Sequence, residues 1–296
     1  MRFVAFKSAV LLSFFVEVFV INWKSNVISK KGWKWANDAR RRLITGSIVA
    51  ERRSLVLNSI PKSGTHLLYQ VLAPLGLKDF GGFLATTPSV SLKKRPPSEH
   101  VDYLDRLFHR ELLSAHMHFD EQVAEAIERL EQPLITIIRD PRDIFISELD
   151  YLSEVNRWHR MHRFYKRAPD DEAAFTLCLE GMPDASFCYP SFAERIEPYL
   201  GWLDRASTLT VRFEQLRNTA TQQKEMRIIA RYLERGGLWS NGESSFVQQA
   251  QACIDPSASH TFRKGGVGTW RERLSDDQAD RLEQVIAPIA RFMDYP

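Results

Sequence analysis

The sequence predicts an α/β fold, a parallel β-sheet flanked by helices on both faces. Two observations carry this. From about Ser54 onward short apolar runs of strand length alternate with stretches of helical apolar spacing, the pattern of strands joined by crossover helices. The composition also supports a sizeable core: 44% of the 296 residues are hydrophobic, with 14 Gly and 14 Pro. That balance excludes a disordered or collagen-like chain.

The N-terminal part, residues 1–50, stands apart from residues 51–296, which form the predicted domain. From Phe3 to Ile21 the chain is almost wholly apolar, interrupted by Lys7 and Glu17. Its length suits a membrane span, yet a central Glu opposes one. Three expectations stand: a signal anchor, a helix lying in the membrane interface, and a helix docked on the domain. Between Lys24 and Arg53 there are nine basic and two acidic residues, which would hold the domain on the cytoplasmic side of any span. The expected location is therefore cytoplasmic, with membrane association through residues 3–21. The net charge of +3 is too small to argue for nucleic acid as a partner. Three cysteines, Cys178, Cys188 and Cys253, are too few for a disulfide framework and lack zinc-like spacing, so a reducing compartment and buried thiols are expected. The sequence leaves the oligomeric state open.

Ser54–Ile60, bounded by Pro61, is the first strand candidate, followed by Leu112–Ala115, Leu134–Ile138 and Thr208–Phe213. Asp120 is a plausible N-cap, because Val123, Ile127 and Leu130 recur after it at helical spacing. Leu282, Val285, Ile289 and Met293 mark a last helix, with a kink expected at Pro288.

Three segments carry chemistry. The first, Ile60-Pro61-Lys62-Ser63-Gly64-Thr65, joins a strand to a helix N-terminus. Such a turn offers backbone N–H groups and a positive dipole end to a phosphate, and Lys62, Ser63 and Thr65 add a charge and hydroxyls. It lacks the G-x-x-x-x-G-K-[ST] spacing of a Walker loop. The second is Ile137-Ile138-Arg139-Asp140-Pro141-Arg142-Asp143 with Ser147. Arg139 stands at the carboxyl end of a strand, where open α/β sheets bind ligands. A metal-binding acid would suit that place in a nucleotidase; an Arg grips an anion without a metal. Asp140 and Asp143 are expected to cap the helix and pair with Arg142. The third is Phe262-Arg263-Lys264-Gly265-Gly266-Val267-Gly268-Thr269-Trp270, where glycines allow close backbone approach and Arg263 and Lys264 bring charge for a second phosphate.

Taken together and in this order, Lys62–Thr65, Arg139 with Ser147, and Arg263-Lys264-Gly265 with Gly268 and Trp270 resemble the sulfotransferases that use 3′-phosphoadenosine 5′-phosphosulfate (PAPS). The resemblance spans about Ser54 to Trp270. It implies a P-loop-like sulfotransferase fold, PAPS as co-substrate and no metal. It also implies that Lys62, Ser63, Gly64 and Thr65 hold the 5′-phosphosulfate, with Lys62 on the bridging oxygen, and that His66 and Phe213 belong to the cofactor site. Arg139 and Ser147, joined by Arg263, Lys264 and Gly265, would hold the 3′-phosphate. The family's base is a His at the end of a middle strand. In Ser114-Ala115-His116-Met117-His118 that is His116, which directly follows the strand, rather than His118 in the loop. Catalysis would then rest on His116, Lys62 and Ser147. Where close relatives carry a Trp that stacks on adenine this chain has Leu67, and Phe213 stands where many have Tyr, so affinity leans on the phosphates.

The expected reaction is sulfuryl transfer to a hydroxyl or amine of a small-molecule or lipid-like acceptor. The alternatives are a P-loop-type nucleotide-dependent kinase and a non-catalytic anion-binding module. The stretches expected to shape the acceptor pocket, Phe80–His100 and Val155–Pro190, are rich in aromatic residues and His and do not single out one acceptor.

Overall fold

Five parallel strands form one sheet in the order β2-β3-β1-β4-β5. The computed structural model describes residues 54–79, 83–107, 109–182, 188–255 and 266–296. The strands are β1 (Leu55–Ser59), β2 (Phe83–Ala85), β3 (Leu112–His116), β4 (Leu134–Ile138) and β5 (Thr208–Arg212). β1 and β4 are buried along their whole length, as expected of strands covered on both faces. The register places Asn58 beside Ala115 on one side of β1 and beside Thr136 on the other. Since all strands run the same way, their carboxyl ends share one edge.

The helices that matter for the site are α1 (Thr65–Leu72), α2 (Pro97–Leu104), α3 (Glu121–Arg129), α4 (Pro141–Asp150), α5 (His162–Tyr165), α6 (Asp171–Glu180), α7 (Phe192–Ile196), α8 (Phe213–Arg217), α9 (Thr219–Arg235), α10 (Glu243–Cys253), α11 (Trp270–Arg273) and α12 (Asp276–Phe292). Strand side chains alternate between faces. Leu55 and Leu57 join one core with residues of α1, α9 and α10, whereas Val56 packs with residues of α2 and α3. A third cluster gathers Ile60, Ile138 and residues of α4, α6, α7 and α12.

Local chemistry fixes the helix starts. Asp120 accepts the Gln122 N–H ahead of α3, and Asp140 accepts the Arg142 N–H ahead of α4, with Pro141 at its first position. Both are standard N-cap contacts that satisfy an orphan donor. Ser275 and Gln278 form a capping box on α12.

All four sequence-predicted strands are present, with small shifts. β3 runs on to include His116, and β5 stops at Arg212 because Phe213 opens α8. β2 is an unpredicted fifth strand of three residues. The helix expected around Leu282 runs unbroken past Pro288, held by the burial of Ile286, Ile289 and Ala290. Cys178 is buried, but Cys188 and Cys253 are exposed free thiols, which corrects the expectation of buried thiols. Among the described residues no helix is long and apolar enough to cross a membrane. The segment 3–21 and the basic stretch to Arg53 lie outside the described residues.

Candidate active site at the carboxyl edge of the sheet

The β1–α1 turn is bent by backbone that side chains rarely adopt. Lys62 has φ 69° and Gly64 φ 103°. Gly64 is required twice over, since a Cβ there would also come within 2.4 Å of the Phe213 ring. No side chain caps α1; the Leu67 and Leu68 N–H groups donate to the Gly64 carbonyl, while the N–H groups ahead of them have no acceptor one turn back in the helix. Ser63 is fully buried, and its Oγ has no hydrogen-bond partner among the described residues. A buried orphan hydroxyl beside an uncapped helix end is costly unless an acceptor group arrives. The Lys62 ammonium sits 3.6 Å above the Tyr151 ring.

Arg139 follows β4 and is buried. Its guanidinium donates to the carbonyls of Lys62 (3.3 Å) and Gly266 (2.8 Å) and lies 4.6 Å over the Phe213 ring. It thereby ties the first turn to the segment after residue 265, while its Nε remains buried with no partner among the described residues. Phe213 itself is buried beneath Gly64 and Arg139, so it forms part of the cleft wall. Ser147 lies two turns into α4 and faces the same cleft, as do Thr65 and His66. Arg263, Lys264 and Gly265 lie outside the described residues.

Asp140 caps and pairs Arg142 as expected, with 2.8 Å to its Nε. Asp143 does not pair with Arg142. It is buried and accepts from the Gly268 N–H (2.7 Å), the Thr269 hydroxyl (2.9 Å) and the Trp270 N–H (3.2 Å), with Arg139 3.8 Å away. Its role is to fasten the glycine-rich segment against α4.

His116 is the last residue of β3, and its Nδ1 lies 2.8 Å from the Ser59 carbonyl. A carbonyl only accepts, so Nδ1 carries the proton and Nε2 is left as the basic nitrogen. Ser59 Oγ is 3.0 Å from the same Nδ1 and 2.7 Å from Thr65 Oγ1. The edge of the Phe83 ring, 4.6 Å away, borders the imidazole. Burial, followed by the Lys62 and His66 charges, lowers the His116 pKa to about 4. Just beyond, the Asn58 amide pairs with both main-chain groups of Met117, at 2.8 and 3.2 Å. That contact extends the β1–β3 ladder by one step and fixes where His116 ends. His118 is set differently. Its N–H donates to Thr86 Oγ1, its ring packs on Tyr199, and its Nδ1 is buried with no partner among the described residues.

These groups border one cleft of about 1280 Å³. Its far side holds a charged cluster that sequence reasoning did not find. Glu148 on α4 accepts from the Tyr189 hydroxyl at 2.8 Å and lies 3.2 Å from the Arg195 Nε. Arg195 also donates to the carbonyls of Pro190 and Cys178. Burial, the largest single influence, opposes the Arg195 charge, but Glu148 together with Tyr189, Cys178 and Tyr165 outweighs it and the pKa rises. Burial, then the Glu148 charge, pushes the Cys178 thiol up to about 12, which leaves it unreactive. His159 completes the wall. Its Nδ1 accepts the Met161 N–H (3.1 Å), and burial lowers its pKa to about 4. The aromatic richness of 155–190 was the only hint of this wall in the sequence.

Comparison with known proteins places this geometry. The model of the sulfotransferase domain family matches residues 52–294. The fold is similar to that of mouse sulfotransferase SULT7A1 complexed with PAP, with 20% identity, TM-score 0.57, and 85% of this chain and 92% of that chain covered. It is also similar to retinol dehydratase, whose complex with retinol and PAP shares 10% identity at TM-score 0.52, covering 86% of this chain and 85% of the other. The complex of retinol dehydratase with androsterone and PAP gives 10% identity and TM-score 0.51, with 81% and 82% covered. No curated protein sequence gives a significant match. With a family match across nearly all of the described domain, and a phosphate-suited turn and a histidine at the sheet edge, this chain belongs to the sulfotransferase domain family.

Proposed function

We propose that the domain transfers a sulfuryl group from PAPS to a hydroxyl or amine of a small-molecule or lipid-like acceptor, with His116 as general base and Lys62 stabilising the leaving phosphate. The observation that carries this reading is the double role of Ser59. Its carbonyl fixes the tautomer of His116, and its hydroxyl contacts Thr65 at the start of the phosphate turn. Base and anion site are thereby set by one residue.

PAPS, when bound, supplies the activated sulfuryl group on its 5′-phosphate. The uncapped first turn of α1 and the orphan Ser63 hydroxyl suit that phosphate, with Gly64, Thr65 and His66 alongside. The buried Arg139, with its unused Nε, and Ser147 suit the 3′-phosphate, joined by Arg263, Lys264 and Gly265. His116 Nε2 takes the acceptor's proton as the acceptor oxygen or nitrogen bonds to sulfur. Lys62 meets the negative charge that gathers as the bond from sulfur to the phosphate oxygen breaks. Its flexible stem lets the ammonium leave the Tyr151 face and follow that charge. Adenine stacking falls to groups other than Leu67, which packs against the core. The neighbours that hold retinol and androsterone favour an acceptor of similar size, and the cleft has room for one.

The test begins with labelled PAPS and pools of lipids, phenols and sugars, read by mass spectrometry to find an accepted class. On that acceptor, His116→Ala is expected to remove most transfer while PAP binding by calorimetry stays within a few-fold. A folded His116→Ala enzyme with parental turnover would overturn the assignment.

A further inference from the structure

Beside the cleft lies a rim that the proposed chemistry does not use. Residues 155–167, between α4 and α6, contain Arg157, Arg160, Arg163, Lys166 and Arg167 and no acidic residue. In their midst Trp158 is 85% exposed, and Val155 is 37% exposed. The Arg160 N–H donates to the Ser89 carbonyl (3.1 Å) and its guanidinium to the Ser91 carbonyl (3.3 Å). That pins the loop after β2 against the same segment and brings Val90, 68% exposed, next to it. Lys93 and Lys94, just beyond, are exposed as well. A groove of about 440 Å³ runs between Val90 and Arg157, Arg160 and Arg163, and it shares Val90 and His159 with the large cleft. The rim therefore borders the mouth of the cleft.

Cations alone would suit any polyanion. An exposed indole and two exposed valines among them do not, because aliphatic groups gain nothing from a hydrophilic polyanion and favour an apolar phase behind the charges. An indole with its N–H and apolar face fits the headgroup level of a bilayer, and Lys and Arg side chains near an anionic leaflet are drawn to it. We propose that this rim docks the domain on an anionic lipid surface, with the cleft mouth beside the bilayer. The docking stands without PAPS or transfer. The corollary, that the acceptor is drawn from the bilayer, rests on the function proposed above.

The test uses the full chain without PAPS, so its failure is distinct from failure of the enzymatic reading. Binding to phosphatidylcholine vesicles with and without phosphatidylserine is compared for the parent and for Arg157→Gln/Arg163→Gln/Lys166→Gln. Three removed charges are expected to weaken binding to the anionic vesicles roughly 100-fold and to leave the small affinity for neutral vesicles unchanged. Brominated acyl chains report which indole enters the bilayer, whatever else anchors the chain. Quenching is expected in the parent and should drop in Trp158→Phe. Equal quenching in the two proteins would overturn the proposal, as would parental affinity in the triple variant. Loss of binding in the triple variant without any quenching of Trp158 would leave a purely electrostatic contact with lipid headgroups and overturn the insertion of the indole.

Discussion

The two sides of the cleft are built in opposite ways. The side proposed for the phosphate is local: Lys62, Ser63, Gly64 and Thr65 are consecutive and lead into a helix end that no side chain caps. The opposite side is assembled over distance, with Glu148 meeting Tyr189 across 41 positions and Arg195 further on. A local turn must keep its residue order to hold its shape, so it leaves a motif. A buried ion pair needs only that its members meet, so it leaves none. The phosphate side holds polar atoms without partners, Ser63 Oγ and Arg139 Nε, whereas Glu148 already spends one oxygen on Tyr189. The far wall instead closes its charges on one another: Arg195 Nε makes no hydrogen bond among the described residues but stands 3.2 Å from Glu148 in a buried ion pair.

The largest effect that would break this contrast falls at Lys62. Replacing it with Ala removes the movable charge from the turn, and turnover is expected to fall on the order of 10²–10³-fold. Circular dichroism should match the parent, because the side chain contributes to a cation–π contact and little to the core. Near-parental transfer by a folded variant would mean that the phosphate side works through its backbone alone.

Glu148→Gln probes the other wall. The amide still accepts from Tyr189, yet Arg195 is left as a buried charge without its counterion. Breaking such a pair costs about 3 kcal/mol, to be read from denaturant unfolding. PAP affinity should stay within twofold, since the cluster is built from α4, Tyr189 and α7 rather than from the β1–α1 turn. A large loss of PAP affinity with unchanged stability would erase the distinction between the two walls.

A smaller effect is expected from Arg139→Gln, which removes a charge-assisted contact worth about 1.5–3 kcal/mol, or roughly 10–100-fold in PAP affinity. Arg139 also holds the carbonyls of Lys62 and Gly266, so weakening alone decides nothing. The sharper measurement is the ratio between PAP and an analogue lacking the 3′-phosphate. If Arg139 reads that phosphate the ratio collapses; if its role is only to brace the turn, both ligands weaken alike and the ratio holds.

The contrast also explains what could be read in advance. β1 and β4 were legible because central parallel strands are continuous apolar runs, and Gly64 because its turn follows one of them directly. β2 was not legible: it is short, lies at the sheet edge, and leaves Phe83 47% exposed, so no apolar run marks it. Asp143 was misassigned because an acid in the first turn of a helix reads as a cap or a partner for a neighbouring Arg. Its true partners at Gly268, Thr269 and Trp270 lie some 125 residues on, beyond any spacing rule. Ser59 looked like an ordinary strand residue, and only the pairing of β1 with β3 puts it beside His116.

The smallest effects concern the two histidines and acid. A solvated imidazole ordinarily titrates near ~6.5. Burial first, with Lys62 and His66 next, lowers His116 to about 4, and burial with Lys94 and His100 does the same to His118. The neutral form is the base, so kcat/KM should rise with pH through about 4 and be flat by pH 6. Stability has the same sign. The unfolded chain takes up protons near pH 6.5 while the folded His116, His118 and His159 resist until about 4. Stability is therefore full above pH 6.5 and is lost progressively as pH falls toward 4, and ellipticity must be followed alongside the rate. His118→Ala should change turnover only a few-fold and leave the acid limb in place, because His118 is held by Thr86 and Tyr199 and has no contact with Ser59. Lys62→Gln removes a charge that depresses His116, so its residual activity should show the limb displaced to higher pH. An acid limb near 6.5 in the parent would mean that the imidazole is hydrated in the working enzyme. A limb that moves in His118→Ala but stays put in Lys62→Gln would transfer the base to His118.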